Sequence, residues 1–147
     1  MFRRRSTDVI MKWNELKKDD TIYLCIPKYA TDGMFQGYLY QESKVISNKK
    51  YSNYDSCYLT FKYSANGDGK RIRFRRLIYP NEFELPFIFS DGIYCDSNIG
   101  MVIIGITKKG ALLGLTHINN QILLQSEKLK FAYENTKTTL KYEMEHM

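Results

Sequence analysis

A double turn signal between two strand-like segments is the feature of this sequence that most restricts its fold. Residues 64–69 contain Asn-Gly and Asp-Gly in succession, and these residues accept the positive φ angles that tight hairpin turns require. The turn joins two segments that are rich in strand-forming residues, 57–63 and 70–79. We therefore predict an antiparallel β-hairpin at this point in the chain.

Five further segments favour strands because they are rich in β-branched and aromatic residues. Four are predicted as strands at 21–26, 38–47, 87–89 and 93–95, the first ended by Pro27 and the second followed by a polar loop over 48–53. The fifth, 101–106, is an unbroken apolar run of strand length. Such a run predicts a central strand that is covered on both faces.

The segment before the first of these strands has a familiar pattern. Residues 16–23 read LKKDDTIY and resemble the L-K-x-G-D-x-[IV]-Y pattern that opens many small SH3-like barrels, with Asp19 where those barrels usually have glycine. In such barrels the Gly-Asp turn leads into the first long strand. The resemblance implies a small barrel and assigns no functional residue.

The chain changes character at Thr107, whose hydroxyl can cap a helix by accepting a hydrogen bond from the first turn. Apolar or small residues then recur at helical spacing, at positions 111, 115, 118, 122, 129, 132, 133, 136 and 140. No proline or glycine follows Gly114. We predict one long helix over about 111–143, or two helices bent near Asn119-Asn120 or Ser126.

Together these segments predict one α+β domain, with a small twisted antiparallel sheet or SH3-like barrel followed by a long C-terminal helical region. We divide the 147 residues into a basic N-terminal arm (1–10), a β-rich domain (11–106) and a helical region (107–147) that packs on it. A helix of thirty residues would be about 45 Å long, more than such a domain covers. Its second half is therefore a candidate interface with a protein partner or a second copy, through Leu129, Ala132, Tyr133 and Leu140.

The net charge of +6 is concentrated in the first half of the chain. Residues 1–76 hold 16 Lys and Arg against 8 Asp and Glu, whereas residues 77–147 hold 6 against 8. Strand side chains alternate between faces, so the hairpin should present Arg71, Arg73 and Arg75 on one side. The candidate binding residues are these arginines with Tyr58, Thr60 and Lys62 on the facing strand, and Arg3, Arg4 and Arg5 on the arm.

Three interpretations of this basic face are open. Arginine and tyrosine side chains bind phosphates and stack on unpaired bases, which favours nucleic acid. The face could equally meet an acidic protein surface, or it could simply be a solvated strand face, because edge strands use charge to prevent aggregation.

The sequence offers little catalytic chemistry. Its two histidines, His117 and His146, are far apart, so a two-histidine metal site is not expected. The cysteines Cys25, Cys57 and Cys95 are odd in number and form no CxxC pair, which is typical of reduced thiols in an apolar core. We predict no catalytic residue, metal or cofactor.

No apolar run reaches 18 residues, and the first residues lack the apolar stretch of a secretory signal. We therefore expect a cytoplasmic protein, or a virion component if the chain is phage-encoded, with no membrane partner. The leading hypothesis is a non-enzymatic binding or structural protein in an assembly, with the helix contacting protein and the basic face an acidic partner. The alternative is a nucleic-acid-binding module that uses the hairpin face.

Overall fold

The structure is a computed structural model that describes residues 11–51, 55–90, 100–125 and 127–147. Within these residues, six strands and two α-helices follow one another: β1 (Thr21–Tyr29), β2 (Phe35–Tyr51), β3 (Ser56–Ser64), β4 (Arg71–Ile78), β5 (Phe87–Phe89), β6 (Ile103–Gly105), α1 (Lys108–Gln125) and α2 (Lys130–Glu145). The predicted α+β class, with a sheet followed by a helical region, is confirmed. Arg3, Arg4, Arg5, Cys95 and the strand predicted at 93–95 lie outside the described residues.

All neighbouring strands are antiparallel, in the order β4-β3-β2-β1-β6-β5, and the sheet curls into a half-barrel. The 17-residue strand β2 makes this curl possible because it changes partner along its length. It pairs with β1 up to Lys44, and with β3 from Val45 onward, with a bulge between Val45 and Ser47. A bulge bends a strand and increases its twist, so the two halves of the sheet turn away from each other at this point.

The two faces of the sheet pack against different groups. Inside the curl, Leu24, Phe61 and Ile104 belong to one buried cluster that also holds Trp13. On the outer face, Cys25 and Ile103 pack under the two helices. The adjacent residues Ile103 and Ile104 are both fully buried, which confirms that the apolar run 101–106 is covered on both sides.

The predicted bounds of three strands are wrong. The strand predicted at 101–106 spans only Ile103–Gly105, and β2 begins at Phe35 instead of Tyr38. β1 continues through Pro27 to Tyr29, and β2 extends to Tyr51, through most of the predicted polar loop. Pro27 lies opposite Tyr38 in the pairing of β1 with β2. The backbone N–H and carbonyl of Tyr38 bond to α2 and not to β1. Proline has no N–H to donate, and at this position β2 therefore loses no hydrogen bond. β2 continues because its backbone pairs with β3 as far as Tyr51. Ser47 and Lys49 point outward, and the inward Asn48 donates from Nδ2 to the carbonyls of Trp13 and Leu16.

Helix α2 covers the side of β2 that β3 leaves unpaired. Asn135 Nδ2 donates to the carbonyl of Gln36 at 2.9 Å. Thr136 Oγ1 accepts from the Tyr38 N–H at 3.2 Å, and Thr139 Oγ1 donates to the Tyr38 carbonyl at 3.0 Å. An open strand edge invites pairing with another chain, and these side chains satisfy its polar groups from within the molecule.

The helical region forms two helices, since α1 ends at Gln125 and α2 begins at Lys130. Of the predicted alternatives the structure therefore has two helices, and Asn119-Asn120 lies inside α1. The predicted cap is confirmed, since Thr107 Oγ1 accepts from the Gly110 N–H at 3.0 Å. In the described ranges, no helix combines the length and apolarity that crossing a bilayer requires.

A buried side chain, Arg76 of β4, joins the two edges of the sheet. Its guanidinium donates twice to the carbonyl of Phe89 on β5, at 2.9 and 2.7 Å, and once to the carbonyl of Leu77 at 2.6 Å. It also forms a bidentate pair with Glu82 at 2.9 and 3.0 Å. All five donors of the guanidinium are thereby used, and we call this arrangement the edge clasp.

The turn before β1 contains a residue in the left-handed region. Asp19, at the position where SH3-like barrels usually have glycine, has φ 75°. The Asp20 N–H bonds to the carbonyl of Lys17 at 3.0 Å and closes the turn. Aspartate enters this region more readily than most residues, so the turn forms without glycine.

Candidate functional site

The basic face is the outer surface of the second half of β2, of β3 and of β4. The strand register places the predicted residues together, because Thr60 faces Arg75 and Lys62 faces Arg73. The faces therefore alternate as predicted. β2 adds two residues that the sequence interpretation assigned to a loop, so that the complete basic face is Lys49, Tyr51, Tyr58, Thr60, Lys62, Arg71, Arg73 and Arg75.

The cations of this face are exposed, and none has an ion-pair partner among the described residues. Lys49, Lys62, Arg71, Arg73 and Arg75 are all exposed. Within the described part of the chain, no carboxylate forms an ion pair with any of them. Like charges directly opposite each other destabilise a sheet, so the Lys62–Arg73 pair is a cost to the fold that a bound anion would relieve.

The spacing of the charges is regular. Successive outward residues of one strand are about 6.8 Å apart, and neighbouring strands lie about 4.8 Å apart. Arg71, Arg73 and Arg75 thus form one row, with Lys62 beside the middle of that row. A partner that carries evenly spaced negative charges matches this arrangement.

Two tyrosines share the face with the cations. The rings of Tyr51 and Tyr58 meet edge to face, with centroids 5.3 Å apart. The guanidinium carbon of Arg75 lies 5.4 Å from the centroid of the Tyr58 ring, a cation–π distance. The Tyr58 ring therefore contacts both the Tyr51 ring and the Arg75 guanidinium, and these contacts orient Tyr58 and Arg75 at the surface.

Thr60 is the exception among the predicted binding residues. It lies on the basic face but is only 7% exposed. The long side chains around it reach the surface while its short side chain does not. Thr60 therefore supports the face and is not available as a contact residue.

An aromatic layer supports the face from inside. Phe74 lies 5.4 Å from Phe61 and 5.8 Å from Tyr63, measured between ring centroids. These inward residues alternate with the outward cations on the same two strands. Packed aromatic rings limit side-chain movement. The strands that carry the basic face are therefore supported from below by close packing.

The candidate interface residues of the helical region occupy a different environment from the predicted one. Ala132 is 1% exposed and Leu140 is 8% exposed. Leu129 and Tyr133 are partly buried against the same cluster, which also contains Cys25 and Tyr38. The stripe therefore packs on the chain's own sheet, and Ala132 and Leu140 in particular are not available to a partner.

The two described thiols are poorly suited to nucleophilic chemistry. Burial raises the pKa of Cys25 far above its ordinary value, and the nearby charge of Glu143 raises it further. Burial also raises the pKa of Cys57, although a hydrogen bond with Asn48 acts in the opposite direction. Both thiols stay protonated near neutral pH, and the thiolate is the reactive form.

The charged side chain that the sequence interpretation missed is Arg76. Strand alternation already placed it on the inward side, in a row with Phe74 and Ile78. An arginine at an inward position is unusual, and that mismatch was the available signal. Among the residues that the structure describes, no group of three or more His, Cys, Asp or Glu side chains could hold a metal ion.

Comparison of the chain with protein-family models, with curated proteins and with solved structures gives no match. The geometry of the basic face is therefore the basis for a functional assignment.

Proposed function

We propose that this chain is a non-enzymatic binding protein whose basic face binds single-stranded nucleic acid. The observation that carries the proposal is the row of exposed arginines, unpaired with any described carboxylate, beside two surface tyrosines. Phosphates repeat along a strand as the cations repeat along β4, and charge-assisted hydrogen bonds from guanidinium groups suit phosphate oxygens. Tyrosine rings add stacking platforms for unpaired bases.

An acidic protein surface is less well matched to this face. Carboxylates on a protein surface repeat evenly only where a particular sequence places them so. Every nucleic-acid strand carries regularly repeated phosphates, which suit the even row of Arg71, Arg73 and Arg75. The predicted apolar stripe of the helical region also offers little to a protein partner, because it packs on the chain's own sheet. We therefore assign binding to the basic face.

The test is the binding of a fluorescent oligothymidylate to the whole chain, measured by anisotropy over a range of salt concentrations. The logarithm of the affinity should fall linearly with the logarithm of the salt concentration, because phosphate contacts release counterions. The triple variant Arg71→Ala, Arg73→Ala, Arg75→Ala should bind about a hundredfold more weakly at low salt, at about 1 kcal/mol for each lost contact. Its salt dependence should also be shallower by about 2 in slope.

A charge-matched variant separates this effect from a general loss of positive charge. Lys109, Lys130 and Lys141 are exposed on the helices, and replacing all three with alanine should leave binding close to that of the wild type. Equal binding by the wild type and the arginine variant would refute the proposal, as would an absence of binding by the wild type at low salt. Tighter binding to polyglutamate than to oligothymidylate would identify an acidic protein as the partner instead.

A further inference from the structure

A cavity of about 400 Å³ lies on the outer surface where β2 leaves β1 and joins β3. The bulge between Val45 and Ser47 separates the two halves of the sheet here. We call this cavity the fork pocket; its lining includes Lys44, Lys62 and Arg71, together with Glu42, Ser43 and Ile46. Lys62 and Arg71 also belong to the basic face, so the two surfaces are continuous.

The guanidinium of Arg71 is held at the pocket wall. Its Nη2 donates to the carbonyl of Lys62 at 3.2 Å and lies 3.5 Å from Ser43 Oγ. Ser43 is 4% exposed, and its hydroxyl also donates to the Lys62 carbonyl. Within the described residues these bonds use only one nitrogen of Arg71, so its other N–H groups remain for a ligand.

The charges of the pocket indicate the kind of ligand. Lys44, Lys62 and Arg71 form no ion pair with a described carboxylate, and Glu42 is the one acidic residue of the lining. The carboxylate of Glu42 accepts a hydrogen bond from the Tyr40 hydroxyl at 2.9 Å. Three cations and one carboxylate leave two positive charges in excess. A phosphate monoester carries about −1.5 to −2 at neutral pH, whereas a phosphodiester within a strand carries −1.

We propose that the fork pocket binds a phosphate monoester, supplied by the phosphorylated end of a nucleic-acid strand that lies on the basic face. The identity of the strand rests on the proposed function, and the phosphate chemistry rests on the pocket itself. From Arg75 to Arg71 the row covers about 14 Å and leads to the pocket. A strand that follows the row and ends beside Arg71 would place its terminal phosphate in the fork pocket, whose lining includes Lys44.

The experiment compares oligothymidylates that end in a phosphate or in a hydroxyl group, at the 5′ end and separately at the 3′ end. The wild type should bind one of the phosphorylated forms about tenfold more tightly than its hydroxyl form, because the monoester gains charge-assisted hydrogen bonds. In the variant Lys44→Gln, this ratio should fall towards one. The matched variant Lys28→Gln, at an exposed lysine on β1 outside the pocket, should retain the wild-type ratio.

A titration with inorganic phosphate, followed by NMR, makes the two proposals separable. Added phosphate should shift the amide signals of Ser43, Lys44 and Lys62 in the wild type. In Lys44→Gln, the amide signals of Ser43 and Lys62 should stay in place. If the protein bound phosphate but no oligothymidylate, the fork pocket would still be a phosphate site, and the proposed function would be refuted. A wild-type ratio of one would remove the pocket assignment and leave the proposed function intact. Tighter binding to a phosphoserine peptide than to either phosphorylated oligothymidylate would overturn the strand end as the occupant.

Discussion

Replacing Arg76 with alanine is expected to lower the free energy of unfolding by about 3–5 kcal/mol, because the change removes a buried cation and leaves its half-buried partners without their donors. Arg76 is 7% exposed, and Glu82 would lose both hydrogen bonds of its bidentate pair. The carbonyl of Phe89 would lose both donors from β4. The loss is measured by urea denaturation followed by circular dichroism.

The control is the adjacent arginine. Arg75 is exposed and points outward, so Arg75→Ala should change the free energy of unfolding by less than about 1 kcal/mol. Arg76→Lys should recover only part of the loss, since an ammonium group cannot reproduce the planar fork. Equal costs for Arg75→Ala and Arg76→Ala would contradict the role of the edge clasp.

The edge clasp also predicts how stability depends on pH. Burial alone would raise the pKa of Glu82, but hydrogen bonds from Arg76 and the Tyr79 N–H, with the charge of Arg76, bring it below the ordinary value of 4.5. A carboxyl whose pKa is lower in the folded state stabilises the fold above its unfolded pKa. That contribution is lost as the pH falls from about 4.5 through the lower folded value.

This pH effect can be isolated with Glu82→Gln. The variant should be less stable than the wild type at neutral pH, and its free energy of unfolding should decline less steeply below pH 4.5. The measurement is a series of urea unfolding curves at acidic pH. Parallel acid declines in the two proteins would show that Glu82 does not titrate as the clasp requires.

A second large effect is expected from Gly37→Ala, at the contact between β2 and α2. A methyl group on Gly37 would lie 2.9 Å from both the Ala132 carbonyl and Thr136 Oγ1, and the residue has φ 110°. Backbone strain of about 1–2 kcal/mol adds to a similar cost from the close contact. We expect a total destabilisation of about 2–4 kcal/mol, measured by chemical denaturation.

Gly33 provides the matched control for this substitution. It also has a positive φ of 87°, but no atom lies within 4 Å of an added methyl group. Gly33→Ala should therefore show the backbone strain alone, about 1–2 kcal/mol. The Gly37 variant should in addition expose the Tyr38 N–H to faster hydrogen exchange, because this group bonds to Thr136 on the displaced helix. Equal destabilisation of the two variants would show that the contact with α2 contributes nothing.

The hairpin and its two faces could be predicted because their signals are local. The Asn-Gly and Asp-Gly pairs produced positive φ at Asn66, Gly67 and Gly69. Strand side chains alternate with a period of two. If Arg71 points outward, Arg73 and Arg75 therefore point outward as well. The helix start at Thr107 is local as well, since a cap needs only the residues of the first turn.

The extent of β2 and the role of its edge could not be predicted in the same way. The residues from Asn48 to Tyr51 are mostly polar and resemble a loop, yet they pair with β3. The stripe with Ala132 and Leu140 predicted an apolar helix face but not which surface would cover it. Among the residues that line the fork pocket, only Lys62 and Arg71 were predicted as binding residues from the sequence. Lys44 was not predicted, because it reaches the pocket only through the change of partner in β2.

The sequence by itself determined the turn at 64–69, the outward row of Arg71, Arg73 and Arg75, and the helical character of the chain after Thr107, since each depends on neighbouring residues. Only the tertiary structure decided which groups those surfaces meet. Arg76 reaches a carbonyl 13 positions away, and the Tyr38 N–H meets a hydroxyl 98 positions away. Such bonds depend on the curl of the whole sheet, which no local pattern specifies.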